Sequence, residues 1–350
     1  MNTFEDVFGA TVSTAAHRRG SGDIVKSGGW IRVFTRNRCI VIVLAVCLAF
    51  GSVVIGSVVF GSGVASAVPR SPAGTPMCAG VGPARTIVAQ PHTYEAVAFD
   101  GDGRMLVTDW LGNGVDVVAH PGALPRRVAT VEAPGGLAPM PDGTVLVGSG
   151  IAAPSLLAPA VGAASLIRLD PRTGARSTYA TGLSMGNGVV RAPDGTLFAS
   201  NDLVPAVDRI GVDVRVQRGW YRESPANGLA VSRDGRTLFA NVSLGDTRIL
   251  AIDTGTGRAH SYFRPPRGLD WVFFDDLDID EHGRLYVPLY FGSQVWRIDP
   301  DGSHCALATG LTLPAGISVG AGGAGFSPSA VYVTTHAGSV VEIPHAILRR

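Results

Sequence analysis

From residue 94 onward the chain alternates apolar and polar positions with period two in short runs, broken by turns rich in Asp, Gly and Pro. That is the pattern of β-strands. The unit is clearest at 225–253, PANGLAVSRDGRTLFANVSLGDTRILAID, where an Asn-Gly pair opens an apolar run, an Asp-Gly turn follows, and two more alternating runs complete a four-stranded unit. The Asp-Gly pair reads as a two-residue hairpin turn whose glycine needs φ > 0. It recurs at Gly103, Gly143, Gly195, Gly235 and, with His282 in the Asp place, Gly283, at intervals of 40, 52, 40 and 48 residues. A sixth hairpin, GISVG then SPSAVYVTT, puts Val331 46 residues after Leu285. The period predicts an all-β, six-bladed β-propeller with four strands per blade. Arg85 to Gln90 (RTIVAQ) stands alone before the first repeat and the last repeat ends one strand short at VVEI, so that strand is expected to close the ring as the outer strand of blade six.

The repeats align side chains. Eight residues before the turn glycines stand Glu95, Asn187, Asn227 and Asp275, with Gly135 in the second repeat and either Ala315 or Gly316 in the sixth. Rotation about the propeller axis should bring the four polar side chains to one place, and the small residues opposite should leave room for a ligand. The ends of the second strands border the same mouth and hold Asp109-Trp110, Ser149, Asn201-Asp202, Asn241 to Ser243, Tyr290 and His336. Asp109, Asp202 and His336 are the candidate mouth-lining groups, with Asp202 and His336 the two suited to proton transfer. In blade three the third strand is expected at RIGVDV (209–214), and the apolar insertion 150–164 is either a lid on the channel or a packed surface loop.

The first part of the chain is different in kind. Residues 1–38 are a basic segment, 39–67 an uncharged apolar run and 68–83 a Pro/Ala/Gly-rich linker before the propeller at 84–346. The apolar run is long enough to span a bilayer, and Ala65-Ser66-Ala67 offers a small-residue cleavage site, so it is either a cleaved export signal or a retained anchor. Both place the propeller outside the cytoplasmic membrane, secreted, periplasmic or at the cell surface, with membrane contact only through 39–67. Cys78 and Cys305 are the two cysteines beyond that segment and either pair or remain buried thiols.

A net charge of +1 gives no bias toward nucleic acid, and a monomer is expected. The single lysine, Lys26, lies before the apolar run, which removes Schiff-base chemistry from the propeller, and no G-x-S-x-G elbow supports a serine nucleophile. Two carboxylates and two amides meeting at one axis are costly to bury without a neutralising partner. Either a divalent cation provides it or the groups cap strand ends around a wet channel; the shared offset favours the cation. With Glu95, Asn227 and Asp275 as ligands the donors are all oxygen, which suits Ca²⁺, with Mn²⁺ or Mg²⁺ as alternatives.

At these residues the chain resembles the SMP-30/gluconolactonase/LRE-like (regucalcin-type) propellers over about residues 83–346. The matching segments are YEAVAFD at Glu95, MGNGVV at Asn187, ANGLAVSRDGRTLF at Asn227 and FDDLDID at Asp275. The resemblance implies that Glu95, Asn227 and Asp275 hold the metal and that Asn187 meets substrate; Asp275 or a nearby carboxylate is expected to take a proton from the attacking water, which makes Asp275 and Asn187 the catalytic candidates. It implies a metal-dependent lactonase or esterase-type hydrolase acting on a small molecule. The family's Glu-Gly-Pro, Asn-Asp-Gly and Pro-Asp-Gly have become Glu95-Ala96-Val97, Gly186-Asn187-Gly188 and Phe274-Asp275-Asp276, and the arginine that contacts sugar lactones is missing, since 183–186 read LSMG. A lactone is therefore expected and an aldonolactone is not; a non-enzymatic binding scaffold for a small ligand or a protein is the competing expectation.

Overall fold

A strand buried on both faces needs a sheet packed against it on each side, and most strands here have that character. The computed structural model describes residues 72–151 and 162–347. Among them β1 (Arg85–Ala89) precedes blade one, which is β2 (Tyr94–Phe99), β3 (Met105–Asp109), β4 (Gly114–Val118) and β5 (Arg126–Thr130). Blade two is β6 (Leu137–Pro139), β7 (Val145–Gly148), β8 (Ala164–Leu169) and β9 (Arg176–Leu183). Blade three is β10 (Val189–Arg191), β11 (Leu197–Asn201), β12 (Ala206–Ile210) and β13 (Val216–Tyr221). Blade four is β14 (Leu229–Val231), β15 (Thr237–Val242), β16 (Arg248–Asp253) and β17 (Ala259–Phe263). Blade five is β18 (Asp278–Ile279), β19 (Leu285–Leu289), β20 (Gln294–Ile298) and β21 (His304–Thr309). Blade six combines β22 (Pro314–Val319), β23 (Val331–Thr335) and β24 (Ser339–Ile343) with β1, in the order β1-β24-β23-β22.

All six sheets are antiparallel and four-stranded, as the repeat spacing requires. The core is divided accordingly into six clusters, each between two neighbouring blades. Phe263, Phe274 and Trp296 fill the space between blades four and five, and Tyr94, Phe99 and Tyr332 fill that between six and one. The ring is closed where expected: β1 pairs with β24 at Arg85↔Glu342, and the Arg85 Nε donates to Glu342 Oε2 at 2.8 Å. Cys78 and Cys305 are joined by a disulfide.

Three expectations are corrected. Four of the turn-glycine hairpin loops hold three residues rather than two, as where Gly103 N–H donates to Asp100 O and Asp100 N–H to Arg104 O, a type I turn followed by glycine at φ 76°. That of blade four holds four, since Ser232 N–H donates to Thr237 O. In blade three the third strand is Ala206–Ile210, because Gly211 to Val214 form a turn closed by the Val214 N–H on Gly211 O. The Pro/Gly-rich stretch ahead of β1 does not hang free over its described part. Met77 bridges Ala306, Gly82 N–H donates to Pro344 O, and Gln294 Nε2 donates to Pro72 O, so residues 72–82 dock on blades five and six. The segment 39–67 and most of the insertion (152–161) lie outside the described residues; no helix among the described residues is long and apolar enough to cross a membrane.

Candidate active site at the channel mouth

The inner strands meet around the axis through one repeated hydrogen bond. In blade one the Thr108 hydroxyl accepts from Ala96 N–H and donates to Gly135 O in blade two. Ser200 does the same between Gly188 N–H and Asn227 O, and Thr334 between Gly316 N–H and Glu95 O. Asn241 Nδ2 reaches Asp275 O, while Gly136 N–H goes directly to Asn187 O and Asp276 N–H to Ala315 O. The six carbonyls that accept are those of Glu95, Gly135, Asn187, Asn227, Asp275 and Ala315. These are the positions counted eight before each turn, and the sixth is Ala315 rather than Gly316. A Cβ on Gly316 would run into Glu95 O.

Room beside Gly135 is absent, contrary to expectation. A Cβ there would strike the Gly186 carbonyl and Ile151 Cδ1, so the glycine is needed for blades two and three to approach each other. Below this ring a channel of about 340 Å³ runs down the inner strands, with Asp276, Asp278 and Arg191 as its charged lining.

A second ring sits one residue past each second strand: Trp110, Ser149, Asp202, Ser243, Tyr290 and His336. His336 Nε2 is 2.5 Å from Glu95 Oε2, and its Nδ1 is 2.8 Å from the Tyr290 hydroxyl. With the proton on Nε2, the ring donates to Glu95 and accepts from Tyr290. Asn227 Nδ2 donates to Asp275 Oδ1 at 2.8 Å. Asp202 Oδ1 is buried without a hydrogen-bond partner. The Asn187 backbone is pinned by Ser200 and Gly136, and its side chain is nearly buried. Asp109 does not join this group. It lies one residue earlier in register, so strand alternation turns it into its own blade, where its carboxylate takes Arg127, His92 and the N–H groups of Thr93 and Gly112.

The charges at the mouth are mutually repulsive. Burial, then the Glu95 charge, raises Asp202 to about 7. Burial, followed by the charges of Glu95, Asp276 and Asp202, holds Asp275 well above the usual carboxylate range against the Asn227 amide. Asp276 is raised to about 7, chiefly by burial, although Ile317 N–H and Leu277 N–H bond to it. Several other buried acids carry a guanidinium: Glu342 has Arg85, Asp100 has Arg104, Asp116 has Arg127 and Asp280 has Arg284. Buried Asp208 has no ion pair among the described residues and is held by the N–H groups of Ser184 and Gly219 and the Ser184 hydroxyl. Among the described residues no ion pair reaches Asp202, Asp275 or Asp276.

This surplus of buried, all-oxygen donors fits a hard divalent cation. His92, Asp109 and Asp116 form a tighter group, with one ligand-capable atom from each within 4.8 Å of the others. The Arg127 guanidinium already fills it, at 2.5 Å from Asp116 and 2.8 Å from Asp109, so the mouth, which lacks such a cation, is the better candidate centre.

Solved structures of this shape are known. A gluconolactonase from Xanthomonas campestris superposes with TM-score 0.61 at 16% identity, over 75% of this chain and 89% of that one. The fold is that of the SMP-30/gluconolactonase/LRE-like propellers. Regucalcin from Agrobacterium tumefaciens, a calcium-binding protein, gives 0.57 at 16% identity over 77% and 94% of the two chains. A virginiamycin B lyase from Staphylococcus aureus gives 0.51 at 12% identity over 75% and 98%. No family model and no curated protein sequence matches the chain.

Proposed function

We propose that the channel mouth is the active site of an exported, divalent-cation-dependent hydrolase that opens a lactone or related ester. The observation that carries this is the set of largely buried carboxylates Glu95, Asp202 and Asp275, which no guanidinium among the described residues pairs with and beside which the one basic ring is His336, on Glu95. Glu95, Asn227 and Asp275 would hold the ion, Ca²⁺ before Mn²⁺ or Mg²⁺. When bound, it would polarise the substrate carbonyl and offset charge developing on that oxygen.

The chain's own residues handle the proton. Asp202, with its free Oδ1 and a proton affinity near neutrality, is poised to accept a proton from the attacking water and return it to the leaving oxygen. His336 is held in one orientation by Glu95 and Tyr290 and closes the opposite side of the mouth. Gluconolactonase and regucalcin on the same fold support the reading, while a lyase on that fold shows that fold alone does not choose the chemistry. The test is a pH-stat assay of the full chain on a lactone panel with and without EDTA. Cation-dependent acid release is expected, and turnover that EDTA leaves unchanged would refute the metal-dependent mechanism.

A further inference from the structure

One residue beyond the ring of Trp110, Ser149, Asp202, Ser243, Tyr290 and His336 lies a third set at the same face: Leu111, Gly150, Leu203, Leu244, Phe291 and Ala337. Four of these six are large and apolar, and each is exposed, Leu111 by 49%, Leu203 by 42%, Leu244 by 50% and Phe291 by 49%. Trp271, on the segment that leads into blade five, adds a fifth at 42%. Isolated exposed apolar residues are ordinary, but a set repeated at one register position around one opening is not.

The rim is continuous with the candidate site on one side. The Trp110 ring lies 5.6 Å from the His336 ring, and Tyr290 lies 5.2 Å from it on the blade-five side. Tyr290 packs in turn on Phe291 and Phe273, at 5.0 and 5.7 Å, and those two rings meet at 5.5 Å. Blade six between them carries only Ala337 and Gly338 at its turn. The result is an aromatic arc, with Trp110 on the blade-one side of His336 and Phe273 with Phe291 on the blade-five side, and the small turn of blade six between them marks the cleft over His336. Phe273 sits at φ 56°, a costly backbone state for a bulky residue, and Ala133 and Leu313 share it two residues before Gly135 and Ala315. The strain therefore belongs to the link between blades. The large ring is what blade five adds.

We infer that this cleft binds an apolar acyl, alkyl or aryl substituent of the substrate, so that the ester or lactone presented to Asp202 and Asp275 belongs to a hydrophobic molecule rather than a polyhydroxylated one. This rests on the hydrolase reading above for the reaction, but not for the binding. Among the described residues the cleft walls hold no guanidinium and no fan of amides for sugar hydroxyls, whereas aromatic surface is abundant.

The test uses the full chain and γ-butyrolactone, γ-octalactone, γ-dodecalactone and gluconolactone. The expected result is a kcat/KM that rises by up to about fourfold for each methylene the cleft buries. Phe291→Ser, at an exposed position, should cut the advantage of γ-dodecalactone over γ-butyrolactone at least tenfold. Phe273→Gly, which relieves the backbone while removing the ring, should do likewise without loss of stability. A flat chain-length series, or a preference for gluconolactone, overturns the inference and leaves the hydrolase reading standing. If no lactone is hydrolysed, the hydrolase reading fails, and binding of the lactam 5-octylpyrrolidin-2-one by calorimetry decides the cleft separately. Binding weakened at least tenfold by Phe291→Ser upholds it; a lactam that does not bind assigns the rim to some other surface and overturns it.

Discussion

His336 Nε2 and Glu95 Oε2 stand 2.5 Å apart although 241 residues separate them in sequence. One follows the second strand of the last blade and the other begins the first, so the contact exists only when the ring is closed. The same closure brings Tyr290 to the other nitrogen of His336. Replacing His336 by Ala frees Glu95 from its partner and should lower turnover of the best lactone by about 10²-fold while leaving the far-ultraviolet circular dichroism intact. Turnover within a fewfold of wild type would remove His336 from the proposed machinery.

Asp202 should set the acidic limb of the pH–rate profile. Burial first, and the Glu95 charge second, raise its affinity for a proton, so activity that depends on its ionised form rises with pH on the acid side. A cation that offsets Glu95 moves that rise below the value of about 7 reached without it. In Asp202→Asn that limb should vanish together with most of the activity. A mutant that keeps the limb assigns it to another group.

Stability should fall as pH rises. Asp202 and Asp278 have folded affinities raised to about 7 and about 6 from 3.8, so between about pH 4 and 7 the folded protein binds more protons than the unfolded chain. Stability contributed by these protons is complete below the unfolded value and is lost as pH passes through the folded ones. Thermal melts in the absence of divalent ions should show a higher midpoint at pH 5 than at pH 8. An opposite trend would mean that other groups outweigh these two.

The repeated hydroxyl bridge should be a measurable part of the fold. Thr334→Val keeps the shape of the side chain but leaves Gly316 N–H and Glu95 O without their shared partner. A loss of about 1–3 kcal/mol in urea unfolding is expected. A loss of comparable size is expected on reduction or Ser replacement of Cys78 and Cys305, about 2–5 kcal/mol, because that bond ties the start of the fold to blade five.

The fold was legible because its signals are local. Turn glycines at positive φ and period-two alternation mark each hairpin, and their spacing alone gives blade number and ring closure. Glu95, Asn227 and Asp275 were legible for the same reason, since one offset from each turn locates them. Asp109 was misplaced because a single register step in a strand reverses the direction of a side chain, and the sequence does not print where a strand ends. The supposed room at Gly135 was misjudged because a glycine can mark either empty space or a close backbone approach, and only the position of Gly186 distinguishes them. The pairing of Glu95 with His336 joins residues from opposite ends of the propeller and has no local signature. Asp202, Tyr290 and His336 were legible as ends of the second strands, but not the bonds that His336 makes to Tyr290 and Glu95.

The measurement that bears most directly on the central claim is calorimetric titration of the full chain with Ca²⁺ at pH 7.5, beside Asn227→Ala and Asp275→Asn. A single site that is weakened at least tenfold in both variants, with Arg127→Lys binding as wild type, is the predicted result. Absence of Ca²⁺, Mn²⁺ and Mg²⁺ binding to the wild type, or binding that both variants retain, would contradict a cation at the channel mouth.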